Sequence, residues 1–222
     1  MYLNMVASAD GQASIGGKAS NIGSAVDRHM MRNLRSTSDA VMVGADTLRA
    51  ERLSLGLDKS SQGVQPLGVI LTTLGDVPLE RNLIFHDDQT ILVIASSAIP
   101  EERAEALGHK ARVLRIAATV AGRPDLSKTL QTLKRDYAVE RLLVEGGPTL
   151  NRALISARLV DEIFLTVAPK LLGNGVADEP RTILAGELLA TVELHLLSVH
   201  LATDELFLRY GISSTTSEHG GS

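Results

Sequence analysis

The sequence predicts an α/β fold, a three-layer α/β/α arrangement with helices on both faces of a mixed, mainly parallel sheet that ends in an antiparallel hairpin. Up to about residue 170, apolar segments of strand length alternate with segments of helical periodicity, which is typical of a parallel sheet. Beyond it, the strand-like segments 192–201 and 205–210 are separated by three residues, as in a hairpin. Aromatic residues make up 3% of the chain, so the core must be mainly aliphatic.

The apolar patterns assign the elements in chain order. Strands are predicted at 2–8, 39–44, 67–72, 90–95, 112–116, 141–144 and 161–168, and helices at 25–35, 100–107, 125–137 and 148–157, with a helical turn at 48–52. The polar, glycine-containing segment between the second and third strands is expected to be a loop, too short to separate two domains. We therefore expect one domain over 1–212, followed by a disordered polar tail, 213–222.

The composition excludes several classes of protein. Cysteine is absent, so disulfides and thiolate metal sites are impossible, and a cytoplasmic location is expected. A formal net charge of -4 argues against general nucleic-acid binding. No segment approaches the roughly 18 uninterrupted apolar residues of a membrane span, and the first residues lack the features of a signal peptide.

Several common functional motifs are also missing. The sequence has no GxxxxGK[ST] phosphate loop, no GxGxxG dinucleotide fingerprint and no GxSxG nucleophile motif. His195 and His200 are five residues apart on a predicted strand, so we expect their side chains on opposite faces, where they cannot share a metal ion. The other histidines are scattered, and no metal site is predicted.

The segment LLVEGGPTLNRALI, residues 142–155, is the centre of the predicted site. A buried strand ends at Glu145, the pair Gly146-Gly147 follows, and Pro148 suits the first turn of a helix. Glycines allow a ligand to approach the backbone, and a helix N-terminus favours a phosphate. The alternative is a tight strand-to-helix turn without a ligand. An acid at the end of a buried strand argues against that alternative, because it needs a partner.

Other polar groups also follow predicted strands. They are Asp10, Gly44 to Thr47, Thr72-Thr73, Ser96-Ser97 and Glu145 to Thr149. If the strands are parallel, these groups meet at one edge of the sheet, where backbone N–H groups and hydroxyls suit a phosphate-bearing ligand. Residues 11–25 are rich in glycine and small residues, which fits either ordinary surface looseness or a mobile loop beside a binding cleft.

Three segments resemble the reductase domain of riboflavin biosynthesis, whose fold is similar to dihydrofolate reductase. They are SADG, LRSTSDAVMVGADTLRAE and LLVEGGPTLNRALISARLVDEIFLTVAPKLLGNG, and the resemblance extends from residue 2 to about residue 210. It implies an enzyme, an NADPH-dependent oxidoreductase that transfers hydride to C1′ of a ribosylaminopyrimidine 5′-phosphate. The deaminase zinc motif found beside this domain in bifunctional relatives is missing, so a standalone reductase is expected.

The resemblance also implies roles for individual residues. Expected at the cofactor are Gly44, Thr47, Glu51, Thr73, Gly146, Gly147, Pro148, Thr149 and Leu150. Expected at the substrate are Asp10, Arg35 and Glu145, with Glu145 facing the amino groups of the pyrimidine. Arg35 resembles a ligand of the substrate phosphate, which a guanidinium fork suits; the alternative is a solvated helix end. The catalytic acid is unknown, because no side chain stands out as a proton donor.

The chain departs from the family pattern at three places. Asn21 stands where a tryptophan is usual, Glu51 where the family mostly has aspartate, and 53–57 reads LSLGL where an arginine-containing segment is common. One expected phosphate contact is therefore in question. A reductase of the same fold that acts on another heterocycle such as a pterin, and a nucleotide-binding protein without turnover, remain alternatives.

Two further expectations concern the cofactor and the assembly. Hydroxyls at Thr72, Thr73, Ser96 and Ser97, with Arg81 and Arg103 nearby in sequence, suggest a ring around a 2′-phosphate and a preference for NADPH. The resemblance implies a homodimer, and the largely uncharged segment 161–172 is predicted to be an exposed edge strand that pairs with a second copy.

Overall fold

The computed structural model describes residues 1–16, 18–58, 63–80, 83–85, 89–173 and 182–213. Its strands are β1 (Tyr2–Ser8), β2 (Ala40–Gly44), β3 (Leu67–Thr72), β4 (Ile91–Ser96), β5 (Arg112–Ile116), β6 (Leu142–Val144), β7 (Glu162–Ala168), β8 (Leu194–Ala202) and β9 (Glu205–Ile212). Its α-helices are α1 (Ala25–Ser36), α2 (Ala45–Ala50), α3 (Glu101–Gly108), α4 (Leu126–Tyr137) and α5 (Pro148–Ser156). Single 3-10 turns lie at Ala19–Asn21 and Leu83–Phe85.

The described strands form one sheet in the order β5-β4-β3-β2-β6-β1-β7-β9-β8. Strands β1 to β7 pair in parallel, and β9 pairs antiparallel with both β7 and β8. The predicted mixed, mainly parallel sheet with a terminal hairpin is confirmed. Because β6 inserts between β1 and β2, the strand order reverses there, and ligands of α/β proteins bind at the carboxyl ends of strands beside such a reversal.

Helices cover both faces of the sheet, which confirms the three layers. On one face, α4 and α5 bury Leu133 and Leu154 against Met42 and other strand residues. On the other, α1 and α3 bury Leu34 and Leu107 in a second aliphatic cluster. Successive side chains of a strand point to opposite faces of the sheet, so each strand contributes apolar residues to both clusters. This explains why the strand sequences are mainly apolar.

The strand at the edge of the sheet is not the predicted one. Strand β7 lies inside the sheet, between β1 and β9, so the prediction that 161–172 forms an exposed edge is wrong. The reason is that the C-terminal hairpin folds back and pairs along β7 through six residue pairs, from Glu162–Gly211 to Val167–Leu206. On this side of the described sheet the edge strand is β8, and β5 forms the opposite edge.

The orientation of the two histidines of β8 also differs from the prediction. A β-bulge lies between Leu196 and Ser198, and one extra residue reverses the alternation of side chains beyond it. His195 pairs with Gly211 and His200 with Phe207; these partners are four residues apart on β9, so both histidines lie on the same face. They are still too far apart along the strand to share an ion.

The sequence also predicted that the chain has no metal site and no membrane span and that it ends in a disordered tail. Among the described residues, no cluster of histidine, aspartate or glutamate has the arrangement of a metal site, and no described helix is long and apolar enough to cross a bilayer. Of the predicted tail, 214–222 lies outside the described residues. A single domain over 1–212 stays a prediction.

Candidate active site

The ends of β2 and β6 are joined by hydrogen bonds at the point where the strand order reverses. The Glu145 N–H donates to the Met42 carbonyl and the Gly44 N–H to the Gly146 carbonyl, each at 2.9 Å. Both strands lead directly into helices, α2 and α5. Two strand-to-helix turns therefore lie side by side at the carboxyl edge of the sheet.

The glycine pair lies in the turn between β6 and α5. Gly146 has φ +99°, a conformation that favours glycine, and the peptide bond that joins it to Gly147 is cis. A Cβ placed on Gly147 would lie 2.7 Å from Thr47 Oγ1, whereas one on Gly44 would lie 3.7 Å from Leu150 Cβ. The structure thus brings together these five predicted cofactor residues.

The first turn of α5 completes this cradle. Pro148 occupies the first helical position, where its missing N–H has no cost. The N–H groups of Thr149 and Leu150 lie in the same first turn, where a helix provides no carbonyl partner. Free N–H groups beside backbone without side chains are the features that bind a pyrophosphate.

Two other predicted cofactor residues lie apart from the cradle. Glu51 follows α2, and its Oε1 accepts the Ala19 N–H at 2.7 Å. Thr73 follows β3, which is separated from β6 by β2. Glu51 therefore ties the loop after β1 to the site, and its contact with a cofactor stays a prediction.

A buried ion pair joins α1 to the end of β6. Arg35 Nε and Nη2 each donate to one oxygen of Glu145 at 2.7 Å, and Nη1 donates to the Gly56 carbonyl at 3.0 Å. The side chains are 6% and 9% exposed. Burial lowers the pKa of Arg35, but the charge and hydrogen bonds of Glu145 outweigh it, and the net pKa is raised.

This pairing changes the interpretation of Arg35. The alternative of a solvated helix end is wrong, because the guanidinium is buried and bidentate. Its role as a ligand of the substrate phosphate stays a prediction, but most of its donors already have partners. Glu145 retains lone pairs beyond those that Arg35 occupies, so a contact with pyrimidine amino groups is compatible with the pair.

Asp10 also has a structural partner. Its Oδ1 accepts from the Ser8 hydroxyl, and its Oδ2 accepts the N–H groups of Leu172 and Gly173 at 3.0 and 2.6 Å. The hydrogen bond from Ser8, followed by those from the backbone, lowers the pKa of Asp10. Asp10 thus fixes the segment after β7 at the edge of the site, and its contact with substrate stays a prediction.

The glycine-rich segment after β1 is tied to this edge. Lys170 Nζ donates to the carbonyls of Asn21 and Ile22 at 2.9 and 2.7 Å, and Ile22 is fully buried. Gly17 lies outside the described residues. Residues 18–24 therefore form part of the wall of the site, which favours a loop beside a binding cleft over ordinary surface looseness.

Asp27 is a site residue that the sequence analysis missed. It lies in the first turn of α1 and faces the sheet, where it contacts Thr166 of β7. Burial raises the pKa of Asp27, the hydrogen bond from Thr166 opposes this, and the charges of Glu205 and Glu145 raise it further. Helical spacing was the available signal, since Asp27 is seven residues before the buried Leu34.

Glu205 fixes the start of α1 above β9. It is 3% exposed, and it accepts the Ser24 N–H at 2.8 Å and the Ser24 hydroxyl. Ser24 in turn caps α1 by accepting the Val26 N–H at 3.0 Å. This chain of contacts positions Asp27 over the sheet.

A cavity of about 230 Å³ lies on the same face as Asp27. Its lining includes Met30 of α1, Thr166 and Phe164 of β7, and His200 and Phe207 of the hairpin. A larger cavity of about 360 Å³, lined by Met1 and Arg141 among others, lies at the amino ends of the strands. It is therefore separate from the glycine cradle.

The hydroxyls predicted to surround a 2′-phosphate have other partners. Thr72 and Ser96 are buried, and their oxygens accept from Gly75 N and Ala98 N at 3.1 and 3.2 Å. The prediction that these two line a phosphate is therefore wrong, because the hydroxyls close their own turns. Arg81 lies outside the described residues, and Arg103 donates to the Leu74 carbonyl at 3.2 Å.

Sequence comparison decides the family. The RibD C-terminal domain matches residues 1–206. The chain belongs to the RibD C-terminal domain family. A 2,5-diamino-6-ribosylamino-4(3H)-pyrimidinone 5′-phosphate reductase of Methanothermobacter thermautotrophicus is 30% identical over 220 residues, which cover 96% of this chain and 97% of that protein. A protein of the same name from Archaeoglobus fulgidus is 34% identical over 197 residues, covering 84% of this chain and 86% of that protein.

The fold agrees with this assignment. The structure of Acinetobacter baumannii RibD matches with a TM-score of 0.78 and 26% identity, covering 96% of this chain and 57% of that longer chain. The predicted dihydrofolate-reductase-like fold and the resemblance to the riboflavin reductase domain are confirmed. Membership of a reductase family suggests a nicotinamide cofactor.

In this RibD C-terminal domain, the backbone of Gly147 and the side chain of Thr47 lie so close together that there is no room for a Cβ on Gly147. Gly147→Ala is expected to lower the free energy of unfolding by about 1–3 kcal/mol, because the added Cβ meets the Thr47 hydroxyl. Adding Thr47→Ala should restore most of the loss. Gly44→Ala is the matched control, since its Cβ has ordinary contacts. Urea denaturation measures all four proteins; equal stability of the two glycine variants would contradict the geometry.

The second prediction concerns Asp27. A carboxyl whose pKa is raised by folding lowers the free energy of unfolding as the pH rises through that pKa. Asp27→Asn should therefore be more stable than the parent at pH 7, and the difference should shrink as the pH falls toward the ordinary value of 3.8. Denaturation at several pH values measures this, with the exposed Asp204→Asn as control. A variant less stable than the parent at pH 7 would contradict the claim that ionisation of this half-buried carboxyl lowers the free energy of unfolding.

Proposed function

We propose that the protein is an NADPH-dependent reductase that transfers hydride to C1′ of 2,5-diamino-6-ribosylamino-4(3H)-pyrimidinone 5′-phosphate. The observation that carries the proposal is the position of Glu145, directly before the glycine turn and joined to β2. A carboxylate suited to pyrimidine amino groups thus adjoins a cradle suited to a pyrophosphate. NADPH would supply the hydride.

The residues present fit a dinucleotide. Gly146 and Gly147 have no Cβ. Among the described residues, the only group within 4 Å of a Cβ built on Gly147 is the Thr47 hydroxyl, itself a hydrogen-bond donor. The first turn of α5 adds N–H groups and partial positive charge. We propose that this cradle holds the pyrophosphate and that Gly44 allows α5 to lie close to β2.

The substrate is proposed to lie on the α1 face of the sheet. Glu145 accepts hydrogen bonds from the ring amino groups there, while Arg35 holds its carboxylate in place. Asp27, whose pKa is raised by burial, adds a second carboxyl group on this face. Two carboxyl groups suit a diaminopyrimidinone better than its deaminated form, which offers fewer N–H donors. The names of the archaeal relatives support this choice.

The test is NADPH oxidation, followed by the loss of nicotinamide absorbance, with three substrates: the diaminopyrimidinone ribotide, its deaminated form and dihydrofolate. The expected preference is for the first. Glu145→Gln should reduce kcat/KM for it by at least about tenfold. In the folded variant, NADPH affinity should stay within twofold of the parent, because the proposed cradle binds the cofactor through backbone N–H groups and not through the Glu145 carboxylate. Turnover of dihydrofolate alone would favour a pterin reductase, and NADPH binding without turnover of any substrate would favour a binding protein.

Titration with NADPH and with NADH tests the cofactor preference by comparing the two dissociation constants.

We further propose a homodimer through the exposed edge of the sheet. Strand β8 is one of the two edges of the described sheet. On one of its faces, Leu194, Leu196, Val199 and Leu201 are 42%, 55%, 52% and 69% exposed. A contiguous apolar surface beside an unpaired edge is typical of an interface.

A cytoplasmic location remains a prediction from the lack of cysteine.

The dimer is tested by Val199→Lys, which places a charge in the middle of this apolar surface. Light scattering at micromolar concentration should give a dimer for the parent and a monomer for the variant. Val120→Lys is the control, because Val120 is fully exposed and lies away from β8. A monomeric parent would contradict the proposal.

A further inference from the structure

We propose that Asn151 is a positioning residue of the glycine cradle and that it sets the affinity for NADPH through the residues it holds in place. The inference rests on the proposed function, because it takes the cradle formed by Gly146, Gly147 and the first turn of α5 as the pyrophosphate site. Asn151 is the fourth residue of α5, and its N–H donates to the Gly147 carbonyl at 2.9 Å. It therefore belongs to the helical turn that carries the cradle.

Asn151 occupies a position at which an apolar side chain would pack without a polar group to satisfy. It is 0% exposed, as is Leu154 three residues later, and both lie on the buried face of α5. A buried amide is costly unless its hydrogen bonds are made, and among the described residues Asn151 Oδ1 has no hydrogen-bond partner. Packing of α5 on the sheet does not require this amide, so its role lies in the contacts of its NH2 group.

The NH2 group of Asn151 fixes the segment 182–185 to the first turn of α5. Its Nδ2 donates to the Ile183 carbonyl at 2.9 Å. A carbonyl only accepts, so the group that faces it is the NH2 and not the amide oxygen. A second hydrogen bond holds the same segment, because the Ala185 N–H donates to the Pro148 carbonyl at 3.1 Å. The segment is thus tied at two points to the helical turn beside the glycines.

The same NH2 group also fixes Met5 behind Gly146. Asn151 Nδ2 lies 3.0 Å from Met5 Sδ, and the Sδ and Cε atoms of Met5 are each 3.8 Å from a Cβ built on Gly146. Met5 therefore fills the space behind the glycine turn. Methionine is unbranched and adapts its conformation readily, so the contact with Asn151 selects one arrangement. Without the amide, both supports of the cradle gain freedom, and the cofactor must then order them at a cost in affinity.

The substrate side of the site has a separate support. The Glu145 carboxylate is held by Arg35 of α1, and α1 lies on the opposite face of the sheet from α5. Loss of the Asn151 amide should therefore weaken the binding of NADPH much more than the binding of substrate. This difference distinguishes a positioning role in the cradle from a general loss of structure.

The experiment uses Asn151→Leu, which keeps the heavy-atom shape of asparagine but has no hydrogen-bonding group. The dissociation constant for NADPH, measured by fluorescence titration, should rise at least about fivefold. At saturating NADPH, kcat and KM for the diaminopyrimidinone ribotide should stay within about twofold of the parent. Asn151→Asp, which keeps the size of the side chain and removes both N–H donors, should weaken NADPH binding at least as much.

Leu154→Ala is the matched control, because Leu154 lies one turn later on the same buried face and has no polar group. This change removes buried methyl groups, so the variant should unfold at a lower urea concentration than Asn151→Leu. Its dissociation constant for NADPH should nevertheless stay close to that of the parent. The loss of NADPH affinity should therefore not follow the loss of stability.

The outcomes separate this inference from the proposed function. Parent-like NADPH affinity in folded Asn151→Leu would overturn the role of Asn151. An equal loss of affinity in Leu154→Ala, or an equal rise in KM for the ribotide in Asn151→Leu, would also overturn it, because either result indicates general loosening of the site. The titration requires no turnover: if the parent binds NADPH but reduces no substrate, the proposed function fails, and the comparison of dissociation constants still decides the role of Asn151. A parent that binds no NADPH would refute both.

Discussion

The ion pair between Arg35 and Glu145 is the interaction on which the rest of the site depends. It joins residues that are 110 positions apart in sequence, and both side chains are almost completely buried. Two buried charges are tolerated only when their geometry and hydrogen bonds are nearly complete, and the bidentate contact with a third bond to Gly56 provides this. The pair fixes α1, the loop after α2 and the end of β6 relative to one another.

Other charged residues hold the remaining walls of the site. Asp10 binds the backbone after β7, and Glu51 binds the backbone before α1. Lys170 donates to the same loop from the other side. The acids that the family resemblance associates with ligands therefore also organise loops around the glycine turn. A rigid wall of this kind maintains the geometry that hydride transfer requires.

Local features of the chain were predictable from the sequence, because periodicity and turn chemistry act over a few residues. The strands and helices, and the turn at Gly146-Gly147, were recognisable in this way. The order of strands was less accessible, since pairing of the hairpin with β7 depends on distant contacts. A single extra residue in β8 reversed the expected orientation of His200 relative to His195. The partner of Arg35 and the partial burial of Asp27 likewise depend on how α1 lies on the sheet.

A double-mutant cycle on Arg35 and Glu145 tests the central claim most directly. The free energies of unfolding of the parent, Arg35→Met, Glu145→Gln and the double variant are measured in urea. If the pair holds α1 to β6, each single change leaves a buried group without its partner, and the double variant should lose less than the sum of the single losses by about 2 kcal/mol or more. Losses that add to within about 0.5 kcal/mol would contradict the account.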